Sequence, residues 1–278
     1  MLSLKRILAL NPRDITFTRI VNAIIRRVKW SYHLLIYFLP FGFSLKNRRK
    51  IEAIKDANKG KRCFILATGP SLKKVKFDML KDEFLIGMNR GFLLEQEFKV
   101  LLDLLVCIDN KTQLEQFTAD YDQINHIPTF YDFRLRRLFR KLPNRFFTLN
   151  CFSPRFMTDG STIFGDGGSV TYNCIQLAYH LGFKEVYLLG KDHSYNTNAK
   201  SGTSVKVENT EGNHFSNNYY HRDQIYDAPD YLKEEFAYEI AFEHFKKNNR
   251  NIFDLTIGGN LEVFPKKNLS EIINEYDI

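Results

Sequence analysis

Three histidines, His193, His214 and His221, stand with Tyr195, Tyr219 and Tyr220 in a stretch, residues 191–226, that is polar and aromatic and keeps no helical or strand periodicity. An imidazole titrates near neutrality and suits a general base. A segment of this length without regular structure is, in a compact domain, characteristically a functional loop or a lid. Any one of the three histidines is an unremarkable loop residue when taken alone. Their grouping makes the loop a candidate catalytic segment.

Five shorter segments offer ligand-binding chemistry: Ala67-Thr68-Gly69-Pro70-Ser71, Met88-Asn89-Arg90-Gly91, Cys107-Ile108-Asp109-Asn110, Gly165-Asp166-Gly167-Gly168-Ser169 and Gly190-Lys191-Asp192-His193-Ser194-Tyr195. Gly69 lets a backbone approach a ligand closely, and Ser71 can cap a following helix whose amides face an anion. Asn89 can bond a base edge, and Arg90 can pair with phosphate. Gly167 and Gly168 followed by Ser169 at a helix start form an anion cradle, the strongest of these signals on physical grounds. Asp192 can hold a ribose hydroxyl or a metal. The P-loop pattern GxxxxGK[ST] and the dinucleotide pattern GxGxxG are both absent from the sequence. Asp120-Tyr121-Asp122 matches the DxD pattern of metal–nucleotide sites, but it lies in a polar, helical stretch away from a strand end and reads as surface.

These segments need elements to carry them, and the sequence supplies an alternation. KRCFILATG, EFLIGMNRG, IPTFYDF, RFFTLNCF, KEVYLLG and RNIFDLT read as strands, and FKVLLDLLVCID is a long apolar stretch ending at Asp109. SLKKVKFDML reads as a polar helix or turn. Residues 111–124, 169–181 and 228–248 read as helices, with Gly182 stopping the second. Strands separated by helical segments imply an α/β, Rossmann-like, mostly parallel sheet with helices on both faces. Ligands bind such sheets beyond the carboxyl ends of the strands, where the five segments fall.

The charge is uneven. Residues 1–62 hold 15 Lys/Arg and 3 Asp/Glu, whereas the rest of the 278-residue chain holds 25 and 29. A folded nucleic-acid-binding face is not indicated, because the positive charge is confined to a terminal arm. Phe17, Ile20, Val21, Ile24, Ile25 and Val28 share one helical face, and Arg19 and Arg26 point the other way. The following run WSYHLLIYFLPFGFSL is apolar, but it is broken by Pro40 and is shorter than the roughly 20 residues a spanning helix needs. The expected organisation is therefore a basic amphipathic arm over residues 1–60, with residues 1–50 meeting an anionic membrane surface, and a catalytic domain over 61–278 with 191–226 as lid. No cleavable signal peptide is evident, so a cytoplasmic location at the inner face of the cytoplasmic membrane is expected. Cys63, Cys107, Cys151 and Cys174 lack metal-ligand spacing and read as thiols in a reducing compartment.

Taken together, ATGPSL, MNRG, GGSVTYNCIQLAYHLGFKEVYLLGKDHSY and NHF resemble the bacterial group that includes the sialyltransferases of lipooligosaccharide synthesis. The same order of motifs resembles the motility accessory factors and the archaeal 6-hydroxymethylpterin diphosphokinases. The sialyltransferase resemblance implies a CMP-activated nonulosonic acid donor, a glycan or glycolipid acceptor, and inverting single displacement with no metal or other cofactor. It implies that Thr68, Gly69, Ser71 and Asn89 contact the nucleotide and that Gly168, Ser169 and Asp192 complete the donor site; Pro70, Arg90, Asp109, Asn110, Gly167, Gly190 and His193, in the same segments, are candidate nucleotide- or donor-binding residues beside them. The resemblance further implies a histidine base, which His214 or His221 would supply, with His214 favoured, and tyrosines, Tyr195 and Tyr219 here, that would steady the leaving phosphate. The diphosphokinase resemblance implies instead ATP, Mg²⁺ and a pterin alcohol, with Asp109, Asp166 and Asp192 as metal ligands. A third reading is a non-catalytic, membrane-bound partner in polysaccharide assembly. The sequence leaves homo-oligomerisation open.

Overall fold

Short apolar runs build the sheet because parallel strands are buried on both faces and need no alternation. The computed structural model describes residues 17–108, 114–195, 199–201, 203–207 and 212–274. Its strands are β1 (Arg62–Leu66), β2 (Leu85–Met88), β3 (Leu104–Cys107), β4 (Thr129–Asp132), β5 (Arg145–Thr148), β6 (Glu185–Leu189), β7 (Ser204–Lys206), β8 (Ile225–Asp227) and β9 (Asn251–Asp254). Seven of them form one sheet in the order β5-β4-β3-β2-β1-β6-β9, and every neighbouring pair is parallel. β7 and β8 form a separate antiparallel pair.

The helices are α1 (Phe17–Tyr37), α2 (Gly42–Glu52), α3 (Leu93–Phe98), α4 (Thr118–Gln123), α5 (Arg136–Phe139), α6 (Val170–His180), α7 (Tyr231–Lys247) and α8 (Leu269–Asn274). On one sheet face Cys63, Ile65, Val106 and Val186 pack with Cys174, Leu177 and Ala178 of α6 and with Tyr238, Ala241 and Phe245 of α7. Each such apolar side chain taken fully out of water contributes about 1.5–3 kcal/mol. The other face stacks Phe64 on Tyr187 and Tyr187 on Phe253, and Tyr131 meets Tyr121 of α4 and Phe139 of α5. The chain is an α/β, Rossmann-like parallel sheet flanked by helices, as the alternation predicts. The described residues up to Arg48 form one compact unit and those from Arg49 form another.

Local departures from the sequence expectation have local causes. Of the two readings of SLKKVKFDML, helix or turn, the chain takes the turn, as the 3-10 segments Pro70–Lys74 and Phe77–Leu80. The stretch 191–226 contains the β7–β8 pair, which is too short to leave a periodic signature. The basic arm continues as one helix through Trp30 to Tyr37 and ends before Pro40, whose ring cannot extend it. No helix among the described residues is long and apolar enough to cross a membrane. Cys63, Cys107, Cys151 and Cys174 are all free thiols.

Candidate active site

The strand order reverses direction at β1, whose neighbours are β2 on one side and β6 on the other. In open α/β sheets a crevice forms beyond the strand ends at such a switch point. A cleft of about 490 Å³ lies there, lined by Thr68 and Gly69 after β1, Asn89 after β2, Gly190–Tyr195 after β6 and Gly168–Thr171 at the start of α6. That volume is within the usual range for small-molecule sites.

Backbone ties hold the two central strand tips together: Ala67 N–H donates to Leu189 at 2.8 Å, and Gly69 N–H to Gly190 at 2.9 Å. Ser71 donates to the Asp192 carboxylate twice, from its amide at 3.1 Å and from its hydroxyl at 2.7 Å. Ser71 therefore caps no helix; its hydroxyl is taken by the carboxylate, and the turn it sits in has Gly69 as its N-cap with no side-chain capping bond. Asp192 acts first as a clamp between strands, with its oxygens already engaged. Gly69 is required by this closeness, since a Cβ there would stand 1.9 Å from Asp192 Oδ2 and 2.5 Å from the Gly190 carbonyl. Gly69→Ala is expected to cost about 1–3 kcal/mol of stability in urea unfolding, because the clamp must part to admit a methyl group.

The glycine-rich opening of α6 forms the next wall. Gly168 adopts φ +79°, in the region that favours glycine. Its amide donates to Asp166 Oδ1 at 2.9 Å, and Asp166 also pairs with Lys233 at 2.8 Å. Ser169 caps the helix by accepting from the Thr171 amide at 3.2 Å, and Tyr238 donates to the same hydroxyl at 3.1 Å. A Cβ on Gly167 would lie 2.4 Å from the Tyr172 ring, so Gly167 serves packing and is not part of the cleft lining. Ser169 takes the Thr171 amide through its hydroxyl and the Tyr172 amide through its carbonyl, and the first turn brings the positive end of the helix dipole to the cleft.

Across the cleft, His214 is 8% exposed and stacks face to face on Tyr219, with ring centres 3.7 Å apart. Its Nδ1 lies 3.3 Å from the Thr68 carbonyl oxygen and 3.2 Å from the Thr68 hydroxyl, and its Nε2 lies 2.8 Å from the Tyr195 hydroxyl. The arrangement fits the tautomer with the proton on Nδ1, leaving Nε2 to accept from Tyr195. Burial first, and the nearby Arg90 charge, push the His214 pKa down to about 3 against the opposing Thr68 carbonyl, so the ring is neutral at physiological pH. His221 is exposed and does not line the cleft; its amide donates to Gln224 at 2.8 Å.

Arg90 does not face the cleft. Its guanidinium is buried, donates to the carbonyls of Asn218 at 2.8 Å and Tyr219 at 2.5 Å, and pairs with Asp120 at 2.9 Å. The residue expected to meet phosphate instead anchors the loop that carries Tyr219 and His214, because two loop carbonyls and the Asp120 carboxylate already engage its terminal nitrogens. Asp120 of the DxD pattern thereby has a structural partner. Asn89, at φ +47°, lines the cleft, whereas Pro70 does not. Asp109 and Asn110 lie outside the described residues.

Several cleft residues gave no readable signal in the sequence. Lys233 and Glu234 belong to α7, which reads as an ordinary helix, and Tyr238 of the same helix is buried and does not line the cleft. Glu234 accepts from Lys191 at 2.6 Å and lies 3.5 Å from the Tyr238 hydroxyl. Burial disfavours the Lys191 charge, but Glu234 outweighs it and holds that ammonium above its ordinary pKa. His193 bonds Glu235 through Nε2 at 3.0 Å, and burial, aided by Lys191, lowers its pKa. Arg134 also lines the cleft and is held in a two-point pair with Asp132 at 2.8 and 2.7 Å.

A family model for the 6-hydroxymethylpterin diphosphokinase MptE-like proteins matches residues 43–198, which carry β1 to β6 and the α6 cradle. The chain belongs to the MptE-like family. No curated protein matches it significantly. Among solved structures, the MAf glycosyltransferase of Magnetospirillum magneticum AMB-1 is similar in fold, with a TM-score of 0.50 and 14% identity over 81% of this chain. This MptE-like chain spans 38% of that structure's length. The likeness places both in one fold. The His214 loop lies beyond the matched family segment, so the family model does not reach the imidazole at the cleft wall.

Proposed function

We propose that the cleft binds the nucleotide of a CMP-activated nonulosonic acid and passes the sugar to a hydroxyl of a cell-surface glycan or glycolipid. The observation that carries this reading is the buried His214 ring, whose Nε2 lies 2.8 Å from the Tyr195 hydroxyl on the wall of a cleft that also receives a helix N-terminus. The acceptor oxygen forms its bond to the anomeric carbon as the bond from that carbon to the phosphate oxygen breaks, and the electron pair leaves with CMP. The acceptor proton moves to the Tyr195 oxygen as the Tyr195 proton moves to His214 Nε2. Donor phosphate bound beside the ring would add negative charge there and make His214 a better base. The amides of Ser169 and Val170 receive the phosphate.

The family description favours a second reading, ATP- and Mg²⁺-dependent diphosphate transfer to a pterin alcohol. Of the carboxylates that reading would use, Asp166 pairs with Lys233 and Asp192 accepts from Ser71. A thermal-shift panel of CMP, CDP, UDP and ATP, with and without Mg²⁺, separates the two. The glycosyl-transfer reading expects stabilisation by CMP without metal, amounting to about 2.7 kcal/mol at one hundred times its dissociation constant. A response to ATP with Mg²⁺ alone replaces it with diphosphate transfer. No response to any nucleotide removes both and leaves a non-catalytic role.

A further inference from the structure

The face of α1 expected to be apolar is exposed to solvent except at Val21, which is half-buried. Phe17 is 81% exposed, Val28 65% and Leu35 72%, and Ile20, Ile24, Ile25 and Tyr32 are exposed with them. At 3.6 residues per turn, Phe17, Ile24, Val28 and Leu35 fall within an arc of about 40°. The stripe thus runs the length of the 21-residue helix, roughly 30 Å. Beyond the helix, Phe38 and Phe41 are exposed as well. Arg27 and Lys29 flank the stripe, Arg26 lies opposite, and all three are exposed. From Phe17 to Ile51 the chain holds eight Lys/Arg (Arg19, Arg26, Arg27, Lys29, Lys46, Arg48, Arg49 and Lys50) and no Asp or Glu.

We infer that α1 lies in the plane of an anionic lipid bilayer, with Phe17, Ile24, Val28 and Leu35 inserted among the acyl chains and Arg27 and Lys29 at the phosphates. Charge complementarity selects this occupant. A second copy of the chain would bring two uniformly cationic helices together, and like charges repel at contact. An anionic bilayer takes up the apolar stripe and the basic flanks at once. Short insertion in place of crossing agrees with the hydropathy of the helix. Arg48 secures the end of α1 by donating to the Phe38 and Leu39 carbonyls at 3.3 and 2.9 Å, which helps to fix the inserted segment. The inference rests on α1 alone and stands apart from the nucleotide reading of the cleft.

The test is cosedimentation of the full chain with vesicles of phosphatidylcholine and with vesicles in which phosphatidylglycerol replaces about a third of it. Binding to the anionic vesicles alone, weakened by salt, is the expected result. Replacing Arg26, Arg27 and Lys29 together by glutamine should lower the partition coefficient roughly a hundredfold, at about fivefold per charge. Ile24→Glu with Val28→Glu should abolish binding while thermal stability and the nucleotide response stay unchanged, which distinguishes failure of the arm from failure of the cleft. Equal binding to both vesicle types overturns the proposal, as does no binding to either. A dimer that dissociates in the Ile24→Glu, Val28→Glu variant while the parent ignores vesicles overturns it in favour of a second copy.

Discussion

Sugar transfer by His214→Asn is expected to fall by roughly two to four orders of magnitude, the usual worth of a positioned general base, while CMP still stabilises the protein. Asparagine keeps a polar group beside Thr68 but cannot take the proton that Tyr195 delivers. Tyr195→Phe breaks the same relay one step earlier and should show a loss in the same direction. His221→Ala serves as the contrast, since the exposed His221 lies outside the cleft lining and should leave transfer within a factor of about two. Transfer that survives in His214→Asn and disappears in His221→Ala reverses the assignment. A second readout is independent of activity. In the unfolded chain this imidazole takes up a proton as pH falls through 6.5, whereas in the fold it does so only at about 3. The unfolded state therefore binds more protons across that window, and folding stability rises with pH from about 3 to about 6.5. The contribution is on the order of a few kcal/mol. His214→Asn should flatten part of that rise in urea midpoints compared at about pH 5 and about pH 7. His180 and His193, whose pKa values burial also lowers, preserve the remainder.

Glu234→Ala is expected to destabilise the fold by about 3 kcal/mol. The side chains of Lys191 and Glu234 are 14% and 4% exposed, so removing the carboxylate strands an ammonium with little water to receive it. The effect should reach the site as well as the core. Glu234 joins Lys191, at the end of β6, to Tyr238, and Tyr238 donates to Ser169, the N-cap of α6. Two walls of the cleft are thereby braced through one carboxylate on α7. Nucleotide affinity should weaken together with stability in Glu234→Ala. Pairing Lys191→Met with Glu234→Leu should recover most of the stability, since an apolar pair of similar volume commonly replaces a buried ion pair without loss. The double variant should still bind nucleotide poorly, because the brace to Tyr238 is gone. Full recovery of affinity there, measured by titration calorimetry, would show that the brace is irrelevant to the site.

Several features are legible without coordinates. CFIL, LIGM, LLVC and VYLL are apolar on both faces, and a run of that kind can be buried only as a central parallel strand or a core helix; flanking glycines and short length decide for the strand. The α6 start is equally legible, since two glycines and a serine before a helical apolar pattern have few other uses. The basic arm can be read because helical periodicity and charge are local properties. Which polar group meets which is not local. Arg90 carries the same charge whether it faces phosphate or two loop carbonyls, and only the arrival of residues 216–220 turns it inward. Asp192 is a candidate ligand in sequence and a clamp in the fold because Ser71, 121 residues away, reaches it first. His214 and His221 are seven residues apart in one loop, and sequence favours the first only by resemblance. Tertiary structure buries one between Thr68, Tyr195 and Tyr219 and leaves the other in water. Glu234 and Tyr238 were hidden for the same reason: helical periodicity reports which face is buried, and the sheet order decides that the buried face at the start of α7 borders a cleft. Sequence by itself determined the layers, the strand-tip loops and the charged arm, since these follow from patterns spanning a few residues. The chemistry at the crevice was decided by long-range pairing, because a polar side chain is defined by its partner.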